Sequence, residues 1–215
     1  MNPVQVTPSA GPGCWRWPLL PKPSAAGRSP LLLVVHGHAG GAIPQVITEL
    51  LSDLLEARPD NVWLPPLPAD PLELPPGQSL LLVPLLLTPG SHVRCDVPAI
   101  RDRLRRDGHQ VCSLPFLGAW GPWLEHLRSL GAPSVLHHPL RPGVADRYLS
   151  ALSRYLGVPC LSADRSGPSD AAALPLALAP NRMTAHLRTE ESPCLALLER
   201  AATRQFLFNL LLDLP

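Results

Sequence analysis

Leu80-Leu81-Leu82-Val83-Pro84-Leu85-Leu86-Leu87-Thr88-Pro89-Gly90-Ser91-His92 is the stretch on which the fold turns. Residues 80–87 contain no charged or hydrogen-bonding side chain and no polar alternation, the pattern of a strand buried on both faces of a sheet that helices cover. The Thr-Pro-Gly-Ser turn then delivers His92 just past the strand's C-terminal end. Leu31-Leu32-Leu33-Val34-Val35-His36-Gly37-His38 has the same form. In an open α/β sheet, ligands collect in the crevice beyond the strand C-termini. Two imidazoles delivered to one such edge make a candidate metal or proton-transfer site.

Outward from these runs, strands and helices alternate, which argues for parallel sheets with helices on their faces. The sequence predicts strands at 31–35, 61–64, 80–87, 110–114, 134–138, 158–162 and 171–179. Helices are expected at 44–57, 96–106, 122–130, 144–156, from Thr184 onward, and at 192–212. Helix 44–57 presents Val46, Leu50 and Leu54 on one face. The proline-dense segment 65–77 reads as an extended connection. Leu174-Pro175-Leu176-Ala177-Leu178-Ala179-Pro180-Asn181-Arg182-Met183 aligns with Val83 to His92, matching Pro175 to Pro84 and Pro180 to Pro89. This suggests an internal duplication in which Met183 takes the place of His92. The expected organisation is a proline-rich flexible extension over residues 1–29, an N-terminal lobe over 30–130, and a shorter, degenerate C-terminal lobe over 131–215.

With 215 residues, 46% of them apolar, the chain can fill a sizeable core. Eighteen Lys and Arg against 17 Asp and Glu give a net charge of +1, so neither nucleic acid nor a membrane surface is an expected partner. Five scattered cysteines without a C-x-x-C pair fit a reducing cytoplasm better than a disulfide framework or a cysteine-type metal site. No apolar run is long enough to span a bilayer. His109, His126 and His186 have no partner pattern and read as surface residues.

Residues 83–98, Val-Pro-Leu-Leu-Leu-Thr-Pro-Gly-Ser-His-Val-Arg-Cys-Asp-Val-Pro, resemble the class II chelatase pattern in which a V-P-L-F-L strand leads to G-G-H-V-x-x-D-I-P. Leu-Leu-Val-Val-His-Gly-His resembles that family's strand ending in H-G-S. Phe-Leu-Gly-Ala-Trp-Gly-Pro-Trp-Leu resembles its L-G-x-H-P segment, with Trp120 where the pattern has histidine, and Leu-Ala-Pro-Asn-Arg-Met resembles its L-A-P-G-R-L. The resemblance implies a sirohydrochlorin-type cobaltochelatase or ferrochelatase, a lyase inserting Co²⁺ or Fe²⁺ into a tetrapyrrole on the way to cobalamin or sirohaem. It also implies two flavodoxin-like α/β lobes facing each other across a cleft. The family's two metal-binding histidines fall on His36 and His92.

The chemistry of these residues is consistent with that implication. Imidazole nitrogen suits cobalt and iron, and an ion held by few protein ligands can be passed to four pyrrole nitrogens. A neutral imidazole can also take up protons released as the metal enters. Asp96 is either a carboxylate fixing the tautomer of a ligating histidine or the N-cap of the following helix. His38 is a third ligand or a turn residue. Arg94, Arg101, Arg141 and Arg182 lie in or after the relevant turns, where they would pair with substrate carboxylates or remain solvated. His137 and His138 follow the strand that corresponds to 31–35, and either faces the cleft or is a satisfied edge residue. A tetrapyrrole substrate, a divalent metal as co-substrate, no organic cofactor and a monomer are expected.

Two other readings compete. A relative of the same fold could carry a tetrapyrrole or metal without turnover. His36-Gly37-His38-Ala39-Gly40-Gly41 also resembles an α/β-hydrolase oxyanion strand end, but that chemistry needs a G-x-S-x-G elbow, and the sequence contains none.

Overall fold

The computed structural model describes residues 18, 29–36, 42–58, 62–63, 66–67, 74–140, 143–164, 172–188 and 194–215. Two parallel sheets organise them. In the first, β1 (Leu31–His36) is flanked on one side by β2 (Val62–Trp63) and β3 (Pro66–Leu67), and on the other by β4 (Ser79–Pro84), which pairs with β5 (Gln110–Ser113). In the second, β6 (Val135–His137) lies between β7 (Cys160–Ser162) and β8 (Leu174–Pro175). Helices α1 (Gln45–Ala57), α2 (Val97–Arg106), α3 (Gly121–Ser129), α4 (Val144–Leu156), α5 (Arg182–Leu187) and α6 (Ala201–Leu212) fill the connections. This is the α/β architecture the alternation predicts, and among the described residues no helix is long and apolar enough to cross a membrane.

The unbroken apolar runs behave as doubly covered strands. Leu31 to Val35 are each at most 1% exposed, so helices must shield both faces of β1. β8 flanks β6 as β4 flanks β1. The core is continuous between the sheets: Leu31, Leu82 and Trp123 belong to the same apolar cluster as Tyr148, Leu174 and Leu207. Arg58, only 5% exposed, closes the structure at the entrance to β1. Its guanidinium donates to the carbonyl oxygens of Ser29, Leu211 and Leu214 at 2.8, 3.3 and 3.0 Å.

Several local expectations change, each for a physical reason. Helix α1 buries Ile47 in place of Val46, together with Leu50 and Leu54. Part of the extended connection 65–77 pairs with β1 as β3, with Val35 opposite Pro66. The strand expected over 171–179 shrinks to β8, because Pro175 has no N–H and the chain then diverts: Ala177 O and Leu178 O accept from Leu197 N and Leu198 N. Those bonds also break the helix expected over 192–212. Leu197–Glu199 form one 3₁₀ turn tied to 177–178, and α6 begins only at Ala201. His109 is buried rather than a surface residue, and His126 is only partly exposed. His109 is 8% exposed and its Nδ1 accepts from Gln78 N at 3.2 Å. His126 stacks on Phe206 with ring centroids 4.3 Å apart and bonds Thr203 Oγ1 at 3.0 Å.

Candidate metal centre

The parallel pairing of β1 with β4 decides where the two histidines meet. Val34 stands opposite Pro84, and Leu85 N donates to Val34 O at 2.8 Å, so both strands run out at the same edge. His36 is the last residue of β1 and is exposed. Beyond β4, Leu85 to Leu87 stay buried, the chain turns at Gly90, whose N–H donates to Thr88 O, and a π-helical turn spans His92–Asp96 before α2. This wide turn projects His92 back over the end of β1. The His36 and His92 rings stand edge to face with centroids 4.6 Å apart and planes at 87°.

Asp96 occupies the N-cap position of α2 but does not cap it: its backbone is already helical, φ −75° and ψ −43°, and its carboxylate makes no bond to the helix N–H groups. A capping residue needs an extended backbone to fold its side chain over the first turn, and the π turn denies Asp96 that conformation. The carboxylate instead meets His92: Nδ1 donates to Asp96 Oδ2 at 2.5 Å. An ionised carboxylate only accepts, so the bond assigns the proton to Nδ1 and leaves His92 Nε2 with a free lone pair when the ring is neutral. Both side chains are partly open, at 35% and 45%, so a ligand can reach them.

No protein-family profile matches the chain, and no curated protein matches it. Among solved structures, the sirohydrochlorin chelatase SirB from Bacillus subtilis subspecies spizizenii, determined in complex with cobalt, aligns with 83% of this chain and 92% of its own, at a TM-score of 0.50 and 15% identity. The chain has a chelatase-like fold.

Within the chelatase-like fold the remaining sequence candidates scatter more widely. Arg94, on the π turn, and Arg182, at the start of α5, are exposed. Arg101 donates from Nε to Asp102 Oδ1 at 2.8 Å, so one edge of its guanidinium is engaged. His38 and Arg141 lie outside the described residues. Trp120, standing where the family pattern has histidine, is fully buried and donates from Nε1 to Pro115 O at 2.8 Å, which makes it a packing residue. His137 is a satisfied edge residue, buried, with Nδ1 bonded to His138 O at 2.8 Å.

His138 is the residue that sequence reasoning left open. It is exposed at the end of β6, and its pKa is lowered, first by desolvation and then by the imidazoles of His137 and His36. Among the described residues, no three His, Cys, Asp or Glu side chains are already gathered around one ion position.

Proposed function

We propose that this protein inserts a divalent metal, Co²⁺ or Fe²⁺, into sirohydrochlorin or a related tetrapyrrole, as a cytoplasmic, monomeric lyase of cobalamin or sirohaem biosynthesis. The observation that carries this reading is the His36–His92 pair with Asp96 on its outer side. An imidazole nitrogen binds a first-row ion at ~2.1 Å, which puts the ion about 3.2 Å from the ring centroid. Two such arms across the 4.6 Å separation would subtend roughly 90° once both rings turn an in-plane nitrogen to one point. In that orientation His36 and His92 would share an ion whose other positions remain open to water and then to pyrrole nitrogen.

The reaction exchanges two pyrrole N–H protons for one metal ion, so it needs proton acceptors beside the metal. His92 Nε2 can bind the ion, and, once the macrocycle takes that ion, the same lone pair can receive a proton; Asp96 stabilises the resulting imidazolium. Arg94, Arg101, Arg141 and Arg182 would pair with the acetate and propionate arms of the substrate. His38 is the candidate for a third ligand. No organic cofactor enters this chemistry. The likeness to a chelatase solved with cobalt supports the reading at the level of fold.

The test mixes purified protein with sirohydrochlorin and Co²⁺ or Fe²⁺ under anaerobic conditions and follows the absorbance change of metal insertion, for the wild type and for His92→Ala. Acceleration that vanishes in the variant is the expected result. Bound tetrapyrrole with no acceleration over buffer would replace this reading with the non-catalytic carrier, which the loss of a histidine at Trp120 and the smaller second sheet favour.

A further inference from the structure

We infer that Tyr148, on α4 of the second half, is a positioning residue for the metal pair: it fixes the segment that carries His92 and so sets the His36–His92 spacing. The inference rests on the metal reading of that pair. Tyr148 is 1% exposed, and its hydroxyl lies 2.8 Å from both Leu87 O and Gly118 O. A phenol has one proton, here shared between two carbonyls, and burial pushes its pKa well above the ordinary tyrosine range, so the group stays neutral and keeps that proton.

The place of these carbonyls gives the contact its meaning. Leu85 is held to β1 through Val34 O, and beyond it the chain leaves the sheet towards His92. The next bonds from outside the segment are Gly118 N to Leu86 O at 3.0 Å and the Tyr148 hydroxyl to Leu87 O. Gly118 is obligatory in this knot, since a Cβ there would stand 2.0 Å from Leu87 O and 2.7 Å from the Tyr148 hydroxyl. One side of the histidine pair is thus set by β1, and the other by a peptide pinned from α4. Without the hydroxyl, two buried carbonyls lose their donor, and a group left unsatisfied in the interior moves towards another partner. Movement at Leu87 shifts His92 relative to His36 but leaves the His92–Asp96 bond, which lies within the π turn, intact.

Tyr148→Phe keeps the ring and its edge contact with Phe116, whose centroid lies 5.5 Å away. The experiment titrates full-length apoprotein with Co²⁺ alone and records the affinity and the visible d–d spectrum of wild type, Tyr148→Phe and His92→Ala, with thermal unfolding of each. The expected result is a folded Tyr148→Phe protein with Co²⁺ affinity reduced by about tenfold, the low end for groups that orient metal ligands, and a d–d spectrum altered towards that of His92→Ala. A lowered unfolding midpoint with unchanged affinity and spectrum would overturn the inference and leave Tyr148 purely structural. Equal Co²⁺ binding by wild type and His92→Ala would instead overturn the metal reading, and this inference with it. Tyr148→Met, which fills the same core space with a flexible apolar side chain and likewise lacks the donor, serves if Tyr148→Phe does not fold; unchanged affinity in that folded variant again overturns the proposal.

Discussion

The two places where a proline-bearing strand hands over to a helix solve the same problem differently. After β8, Asn181 caps α5 in the ordinary way: its side chain accepts from Thr184 N at 3.0 Å, while Thr184 Oγ1 accepts from Asn181 N at 2.8 Å. After β4, the carboxylate that should cap α2 is turned away to His92. A side-chain cap is worth about 1 kcal/mol to a protein, so the first half forgoes a stabilising contact that the second half keeps. Where an available cap is left unused, the side chain is committed elsewhere, and here that commitment is to an imidazole paired with a second imidazole.

This contrast can be broken from either side. The largest expected effect belongs to His92→Ala, which removes one of the two proposed ligands and should lower Co²⁺ affinity by more than the ~100-fold that marks the upper end for outer groups, as read by equilibrium titration. Asp96→Asn comes next. It should weaken Co²⁺ binding by about tenfold to a hundredfold while leaving the urea midpoint almost unchanged, because Asp96 caps nothing. Asn181→Ala should do the reverse, costing about 1 kcal/mol of stability with no change in Co²⁺ affinity. If Asp96→Asn proved to be the destabilising change and Asn181→Ala the neutral one, the comparison would fail.

The smallest expected effect is a pH slope. Burial lowers the His126 pKa below its ordinary value of 6.5, so between the folded value and 6.5 the unfolded chain binds more protons. Stability is then fully present above about pH 6.5 and declines as pH falls through the lowered value. His138, lowered in the same direction, adds to that slope. Urea midpoints at pH 7.5 and 5.5 should differ less for His126→Gln than for the wild type.

The first half was largely legible in the sequence because its signals are local. The apolar runs at 31–35 and 80–87 became β1 and the buried stretch from β4 through Leu87, and in the second half α4 spans the predicted 144–156. The two histidines were found because each ends such a run. What failed depended on tertiary partners. Nothing in the local pattern signals that residues 197–198 bond to 177–178 and break a helix, or that Phe206 will stack on His126. The choice between two roles for Asp96 could not be made from spacing, since it turns on a π-helical turn whose wider winding leaves no simple periodicity. Nothing in the sequence signalled Tyr148, which the fold places with Ala145, Ala151 and Leu152 on the buried face of α4. Its hydroxyl acquires a task only when Leu87 and Gly118 are brought beside it.

The Arg58 clasp carries an implication for how the chain is made. The arginine gathers carbonyls from Leu211 and Leu214, which lie 153 and 156 residues further along, onto Ser29 at the threshold of β1. A ribosome would release β1, β4 and the histidine pair long before α6 emerges to secure them. Contacts of such wide sequence separation form slowly, so the nascent first sheet must wait with its entrance unlatched until synthesis has passed Leu214.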